Sequence, residues 1–343
     1  MNKSKVIAGI DIGTSKISVI VCRLKSTDDI EVLGMGTSIL KGVQKGIIVD
    51  KSLFTNALQN CIKRAQAASE IIITDAFINI PNGNSKFVIQ TGIVQNESAK
   101  PDQKSDCEQA MKKAVQCITK TDQSVMHMFP ITQRMDGRSD KASSAYFNME
   151  VDTGIILGDT HNLSVVYSTL RKMGLTIKGL ISDYLAMSTF SSSDSDTTPH
   201  LLIDFGAQTT SVCVLIGTQI VFAQTILIGS EHITHDLSVC LKCSYSEAER
   251  IKILHGQLDK LETDLSASVT IQTHSGPQII KLSLITSIIE SRMNQLLQLI
   301  QKYLIHSPNF EKVNILGSGS NLPGLDKWLQ AKLSKPVLMQ KNI

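Results

Sequence analysis

Two acidic turns nearly two hundred residues apart carry the chemistry open to this chain. "IDIGTSKISVIVCRL" begins at Ile10 and "LLIDFGAQTTSVCVL" at Leu201. Each sets an Asp, one residue, a Gly and then hydroxyl residues between two apolar runs of strand character. A nucleoside triphosphate with its metal makes two demands. Its phosphate oxygens need backbone N–H donors, and glycine lets the backbone approach closely enough. Its hydrated Mg2+ needs carboxylates nearby, usually holding its waters. Asp11-Ile12-Gly13-Thr14-Ser15 offers the carboxylate, the tight turn and two hydroxyls. Asp204-Phe205-Gly206-Ala207-Gln208-Thr209-Thr210 repeats the plan. One such stretch would be an ordinary β-turn. Two, each between apolar strands, predict a pair of turns clamping one phosphate chain from both sides, with Asp11 and Asp204 reaching the metal through water. A third element, Gly317-Ser318-Gly319-Ser320 after "VNIL", is a Gly-rich strand-to-helix turn that can take a flat base against its backbone.

The pattern around these turns predicts the elements that position them. Residues 6–24 and 30–40 alternate or run apolar, as paired strands do. "KGVQKGIIVD" is a Gly-punctuated loop into a short strand, and Asp50 caps the helix "KSLFTNALQNCIKRAQAAS". From Ile71 to Arg171 the character changes. "IIITDAFINIPNGNSKFVIQTGIV" reads as strand, turn, strand, "DCEQAMKKAVQCI" as an amphipathic helix, and "VMHMFPITQRM" and "FNMEVDTGIILGD" as strands. Together they predict a compact module set inside the first domain. "HNLSVVYSTLRKMG" is a helix ended by Gly174. "FSSSDSDTTPH" is a surface connector, and helices follow from Gly229 to His255. In "LITSIIESRMNQLLQLIQKYL" the apolar residues from Ile285 to Ile300 keep helical spacing. A strand, a helix around Trp328 and "KPVLMQKNI" close the chain.

The bulk numbers exclude several classes. A chain of 343 residues has room for two or three domains with real cores. A net charge of +3 and an aromatic content of 4%, with no run interleaving bases and rings, argue against a nucleic-acid platform. No apolar run reaches the roughly 18–20 residues of a membrane helix. The start lacks the apolar region of a signal peptide, so a cytoplasmic protein is expected. Cys240 and Cys243 form one C-x-x-C with no second pair to complete a zinc site, which leaves them as small apolar side chains.

The order "DIGTSK", "DFGAQTT", "ILGSGSNLPG" resembles the actin, Hsp70 and sugar-kinase superfamily. "GVQKGIIVD", "HMFPITQRMDG", "LIGSEHITHDLSVCLKCSYSEAERIKILHG" and "GSGSNLPGLDKWL" are similar to the bacterial division family FtsA, over essentially the whole chain. The resemblance implies an α/β fold of two duplicated actin-like (ribonuclease H-like) domains around a nucleotide cleft. Residues 1–70 and 172–197 would form the core of domain I, with 71–171 inserted as an FtsA-type (SHS2-like) subdomain. Residues 198–228 and 310–343 would form the core of domain II, with 229–309 its helical subdomain. ATP and Mg2+ are the implied cofactors. Asp11, Gly13, Thr14 and Ser15 would lie on the first phosphate turn, with Lys16 touching a phosphate or pointing outward. Asp204, Gly206, Thr209 and Thr210 would lie on the second. Glu249 and Lys252 would approach the ribose, and Gly317, Ser318, Gly319 and Asn321 would face the adenine. The implied role is to bind ATP, self-associate, dock the C-terminal tail of FtsZ and meet other division proteins, at the cytoplasmic face of the inner membrane at the division site. Arg292 is the candidate contact for the acidic FtsZ tail.

The chain departs from the family at three places. Ala207 and Gln208 replace two glycines of the second turn, which narrows the phosphate pocket, and Gln208 could itself donate to a phosphate. Asp183-Tyr184 replaces the family's Glu-Pro, leaving Asp183 as the candidate beside an attacking water and hydrolysis slow at most. After "PVLMQKNI" the family continues with a strand, a helix and an amphipathic membrane helix. Their absence predicts no autonomous anchor and membrane contact through partners. Two other readings keep the fold. A pilus-assembly scaffold would bind a peptide from an inner-membrane partner. A sugar or acid kinase would need a substrate-side base and a polar sugar pocket, for which no residue set stands out.

Overall fold

A computed structural model of the chain describes residues 5–26, 29–81, 83–96, 102–118, 122–139, 145–190, 197–259 and 266–340. Its core is one five-stranded sheet built twice. In the first sheet, Lys5–Ile12 is central. Lys16–Leu24 and Ile30–Ile39 follow antiparallel on one side, and Asp75–Ile80 and Thr176–Ser182 lie parallel on the other. In the second, His200–Phe205 is central, Thr210–Ile216 and Gln219–Ile226 are antiparallel, and Lys312–Leu316 and Val337–Met339 are parallel. The two sheets correspond strand for strand.

Period-two alternation decides which face of the first sheet is buried. Ala8, Ile10 and Ile12 with Ile17, Val19 and Val21 face the helices Lys51–Ser69 and Thr160–Lys172, which contribute Phe54, Leu58, Cys61, Val166 and Leu170. The strand Ile30–Ile39 meets the first of these helices through Gly36, where a Cβ would lie 2.6 Å from the Ala65 nitrogen. The Asp50 carboxylate accepts from the N–H groups of Ser52 and Leu53, both at 2.9 Å, as the sequence predicts. Asp50→Ala should therefore lower stability by about 1 kcal/mol, the usual worth of an N-cap, read as a lower melting temperature with unchanged secondary structure.

The inserted module is a three-stranded antiparallel sheet, in the order Lys86–Asn96, Ala145–Asp159, Gln123–Ser139, with helix Gln103–Gln116 across one face. Its limits are narrower than the expected 71–171. Asp75–Ile80 is not the first arm of a local hairpin but bonds to Lys5–Ile12 and Thr176–Ser182. Helix Thr160–Lys172 likewise packs in the first core. A turn signal between two strands marks the turn but not the strands' pairing partners. The expected helical subdomain 229–309 holds helices Ser230–Cys240, Tyr245–His255 and Leu282–Leu304, and also a hairpin, Ser268–Thr273 with Gly276–Lys281. Six residues of the connector, 191–196, lie outside the described residues.

The second sheet is covered on both faces. Leu201, Ile203, Val212 and Val214 pack against the helices that follow. Leu202, Cys213 and Leu215 pack against Tyr184 and Met187 of helix Asp183–Ser188, with Phe87, Phe129 and Ile156 of the module beside them. Among the described residues no helix is long and apolar enough to cross a membrane.

Candidate functional site

Both acidic turns fold alike, down to single hydrogen bonds. Asp11 stands opposite Ser18 in the first hairpin, and Asp204 opposite Ser211 in the second. The Gly13 N–H donates to the Lys16 carbonyl at 3.0 Å, and the Gly206 N–H donates to the Thr209 carbonyl at 3.0 Å. A Cβ would sit 3.0 Å from that carbonyl at Gly13 and 2.9 Å at Gly206, tight enough to explain glycine at both positions. Asp11, Gly13 and Lys16 are thus the equivalents of Asp204, Gly206 and Thr209.

A polar residue absent from the motif joins the carboxylates. Asn79 lies beside Asp11 in the parallel register. Its amide donates to Asp11 Oδ1 at 2.8 Å and to Asp183 Oδ1 at 2.7 Å, while its own carbonyl oxygen is buried with no partner. Asp183 opens its short helix, where Ser182 Oγ accepts from the Leu185 N–H at 3.2 Å. Asp204 is partly buried across the cleft. Burial first, and then the nearby charge of Asp11, push its carboxyl up to about 6. A buried carboxylate whose ionisation a second carboxylate opposes, beside an orphaned oxygen, suits a hydrated cation. Among the described residues no three His, Cys, Asp or Glu side chains come close enough to hold a metal directly.

The turn after Lys312–Leu316 closes the site. Gly317 has φ 84°, a left-handed conformation, and a Cβ there would lie 2.6 Å from the Phe205 carbonyl and within the Asp204 carboxylate. Gly319 lies against the Phe205 ring. Ser318 and Asn321 are exposed on this 3-10 turn.

Residues 201–342 match the family described as "Cell division protein FtsA". The chain is 23% identical over 344 residues to the Cell division protein FtsA of Borreliella burgdorferi (strain ATCC 35210 / DSM 4680 / CIP 102532 / B31), covering 97% of this chain and 83% of that one. It is 26% identical over 312 residues to the FtsA of Bacillus subtilis (strain 168), covering 89% and 70%. The chain is similar to this division family over nearly its whole length.

Solved structures show the fold it shares. The PilM-PilN type IV pilus biogenesis complex aligns with a TM-score of 0.70 at 15% identity, over 99% of this chain and 89% of that one. MreB 5 of Spiroplasma citri bound to AMPPNP aligns with 0.62 at 12% identity, over 98% and 92%.

The residues Ala207 and Gln208 of the second turn have a visible consequence. Gln208 spans the cleft. Its N–H donates to Thr14 Oγ1 at 3.3 Å, its side-chain oxygen accepts from the Lys45 N–H at 2.7 Å, and its amide donates to Glu231 Oε2 at 2.9 Å. Lys45 (φ 49°) and Gly46 (φ 76°) form the turn between Val43–Gln44 and Ile47–Ile48, a two-residue hairpin with both central residues left-handed. The side-chain amide of Gln208 donates to Glu231, so Gln208 would have to leave that bond to donate to a phosphate. The twin turns touch rather than stand open, and a cavity of about 590 Å3 lies elsewhere, between Gly83–Val88, Gln224–Ile228 and Tyr303. Gln208→Ala should release about 1–2 kcal/mol of closure and strengthen Mg·ATP binding severalfold in calorimetry, with faster amide exchange at Lys45. Weaker binding would show that the amide reaches the nucleotide after all.

Other expected residues are placed as follows. The Thr210 side chain is buried and donates to the Ile228 carbonyl at 2.7 Å, so it braces the turn rather than facing the cleft. Thr14 is buried, Ser15 is partly exposed and Lys16 is exposed. Glu249 and Lys252 form an ion pair at 2.8 Å from one helical face. Buried Thr234 ties the pair to the neighbouring helix, donating to Glu249 at 2.5 Å and accepting from Lys252 at 2.9 Å. Burial first, and then Glu231 and Glu249, push the nearby Tyr245 hydroxyl up to about 12. Arg292 stands apart from the turns. It holds Asp236 in a bidentate pair at 2.6 and 2.7 Å and also donates to Gln295. All seven cysteines are free, with Cys240 exposed and Cys243 buried.

Sequence reasoning did not find Asn79, Lys45, Thr234 or Glu231. Asn79 carried a faint signal, as the only polar side chain among "FINI" between two buried isoleucines.

Proposed function

We propose that this chain is an actin-like, ATP-binding division protein that self-associates and links FtsZ to the membrane-associated division machinery at the cytoplasmic face of the inner membrane. The observation that carries the nucleotide part is the identical register of two Asp-x-Gly hairpins meeting across one cleft. In this reading Gly13, Thr14, Ser15, Lys16, Gly206 and Thr209 surround the phosphates. Asp11 and Asp204 hold the waters of Mg2+, which when bound neutralises phosphate charge. Glu249 and Lys252 meet the ribose once their mutual ion pair makes room. Gly317, Ser318, Gly319 and Asn321 back the adenine.

Hydrolysis on this arrangement is slow. Asp183 is the group nearest to a water-activating role, and the amide of Asn79 holds one of its oxygens. That bond fixes its position. The FtsZ tail docks on the helical part of the second lobe, where its carboxylates compete with Asp236 for Arg292.

Two measurements test this reading. Calorimetric titration should give Mg2+-dependent ATP binding at micromolar affinity, weakened about tenfold or more in Asp11→Ala, since a charge-assisted contact is worth about 1.5–3 kcal/mol. Equal affinities would remove the site. Co-sedimentation with FtsZ polymers should succeed for wild type and fail with tail-less FtsZ. Failure with intact FtsZ would favour the pilus-assembly reading of the same fold.

A further inference from the structure

Gln208 reaches across the cleft to one small turn, and that turn is held from a third place. The hairpin around Lys45 and Gly46 has arms of two residues each, Val43–Gln44 and Ile47–Ile48, too short to be stable alone. Both central residues are left-handed, which is unfavourable at Lys45, where a side chain is present. Asn162, near the start of helix Thr160–Lys172, fixes it from outside. Its side chain is buried and both ends of its amide are used. The oxygen accepts from the Ile48 N–H at 3.0 Å, and the nitrogen donates to the Gly46 carbonyl at 2.9 Å. The side chain thus pairs with the second arm of the hairpin as the backbone of a neighbouring strand would.

Asn162 is itself fixed at the root of the inserted module. Its N–H donates to Asp159 Oδ1 at 2.8 Å, and Asp159 Oδ2 accepts from the Asn84 amide at 2.9 Å. Asp159 ends the module strand Ala145–Asp159, and Asn84 stands just before the strand Lys86–Asn96. Beside it, Gly83 lies so near the turn that a Cβ would be 1.9 Å from the Lys45 carbonyl. One series of hydrogen bonds therefore runs from Asn84 through Asp159 and Asn162 to the turn, and from the turn to Gln208 of the second lobe.

We infer that Asn162 is a positioning residue for the cleft: by fixing the Lys45–Gly46 turn it presents the Lys45 N–H to Gln208 and holds the twin turns together. The inference rests on the nucleotide reading proposed above. Asn162 bonds to the hairpin and to Asp159, so it acts through Lys45 and not on a ligand. A ligand that needs the twin turns apart must break the bond between Lys45 and Gln208. The more firmly the turn is held, the more that opening opposes binding.

Amide exchange of the nucleotide-free chain is the first test. Asn162→Ala should speed exchange about tenfold or more at Lys45. It should also speed exchange at Gln208, whose N–H donates to Thr14 Oγ1 across the cleft at 3.3 Å. The Gly206 N–H, bonded to the Thr209 carbonyl within the second turn, should keep its rate. A residue serving only the local stability of the first lobe would move Lys45 and leave Gln208 unchanged. Calorimetry is the second test. Mg·ATP affinity should rise severalfold in Asn162→Ala, and the rise should be absent when the change is made in Gln208→Ala, where the latch is already gone. Asn84→Ala, at a partly exposed position, should act in the same direction and more weakly. It decides the matter if circular dichroism shows Asn162→Ala to be unfolded. Unchanged exchange at Gln208 in the folded variants overturns the proposal, as do fully additive gains in the double variant. Absence of Mg·ATP binding in every protein, wild type included, would remove the nucleotide reading, and exchange at Gln208 would then decide the positioning role alone.

Discussion

At pH 7.5 the Asp204→Asn protein melts above the wild type and binds Mg·ATP far more weakly. The two effects have one cause. Burial and the Asp11 charge raise the folded carboxyl from 3.8 to about 6, so the folded protein holds an ionised Asp204 at a cost. A raised carboxylate makes the folded state the stronger proton binder. The contribution of Asp204 to stability is therefore greatest below pH 4, is lost as pH rises from about 4 to 6, and is flat above. The displacement is worth about 2–3 kcal/mol, and the neutral amide removes most of it. The melting advantage of Asp204→Asn should reach several degrees at pH 7.5 and vanish near pH 3.5, where both side chains are neutral. The same substitution removes one of the two charges facing the hydrated metal, and Mg·ATP affinity should fall tenfold or more. If Asp204→Asn were neutral or destabilising at pH 7.5, Asp204 would not be a strained group awaiting a cation. Charge stored at a binding site at the expense of stability is a common trade.

Gly317→Val should be the most damaging single change near the cleft. Its φ of 84° alone costs a side chain about 1–2 kcal/mol. The added Cβ must also displace the Phe205 carbonyl, 2.6 Å away, and the Asp204 carboxylate. Both belong to the central strand of the second sheet, which cannot give way without loosening its pairing with Lys312–Leu316. Together these should cost about 3 kcal/mol or more and lower the melting temperature of the second lobe by roughly 5–10 °C. The control is Gly174→Val. Gly174 has φ 76° and open space around it, so that change should cost only the dihedral part. Equal losses at the two sites would mean that the close approach to Asp204 is not tight.

Both predictions rest on residues whose types were legible in the sequence and whose partners were not. Residue order along the chain determined the twin hairpins. Asp11 and Asp204 precede a glycine by the same step, each between apolar runs, and local turn chemistry does not depend on the rest of the molecule. The same holds for the Asp50 cap, the long helix Leu282–Leu304 and the left-handed Gly174, each specified within a few residues. What lay beyond the sequence was every relation that joins distant segments. Asp75–Ile80 reads as half of a hairpin and is a parallel strand of the first sheet, because pairing is chosen by long-range burial. Asn79 became a link between two carboxylates only when that strand lay beside Lys5–Ile12. Gln208 meets Lys45 across 163 positions of chain, and Arg292 finds Asp236 at 56. Contacts at such separations leave no local periodicity, since they arise from how finished elements pack against one another. The chemistry was written locally, and the tertiary structure alone decided which of those groups stand ready and which already hold a partner.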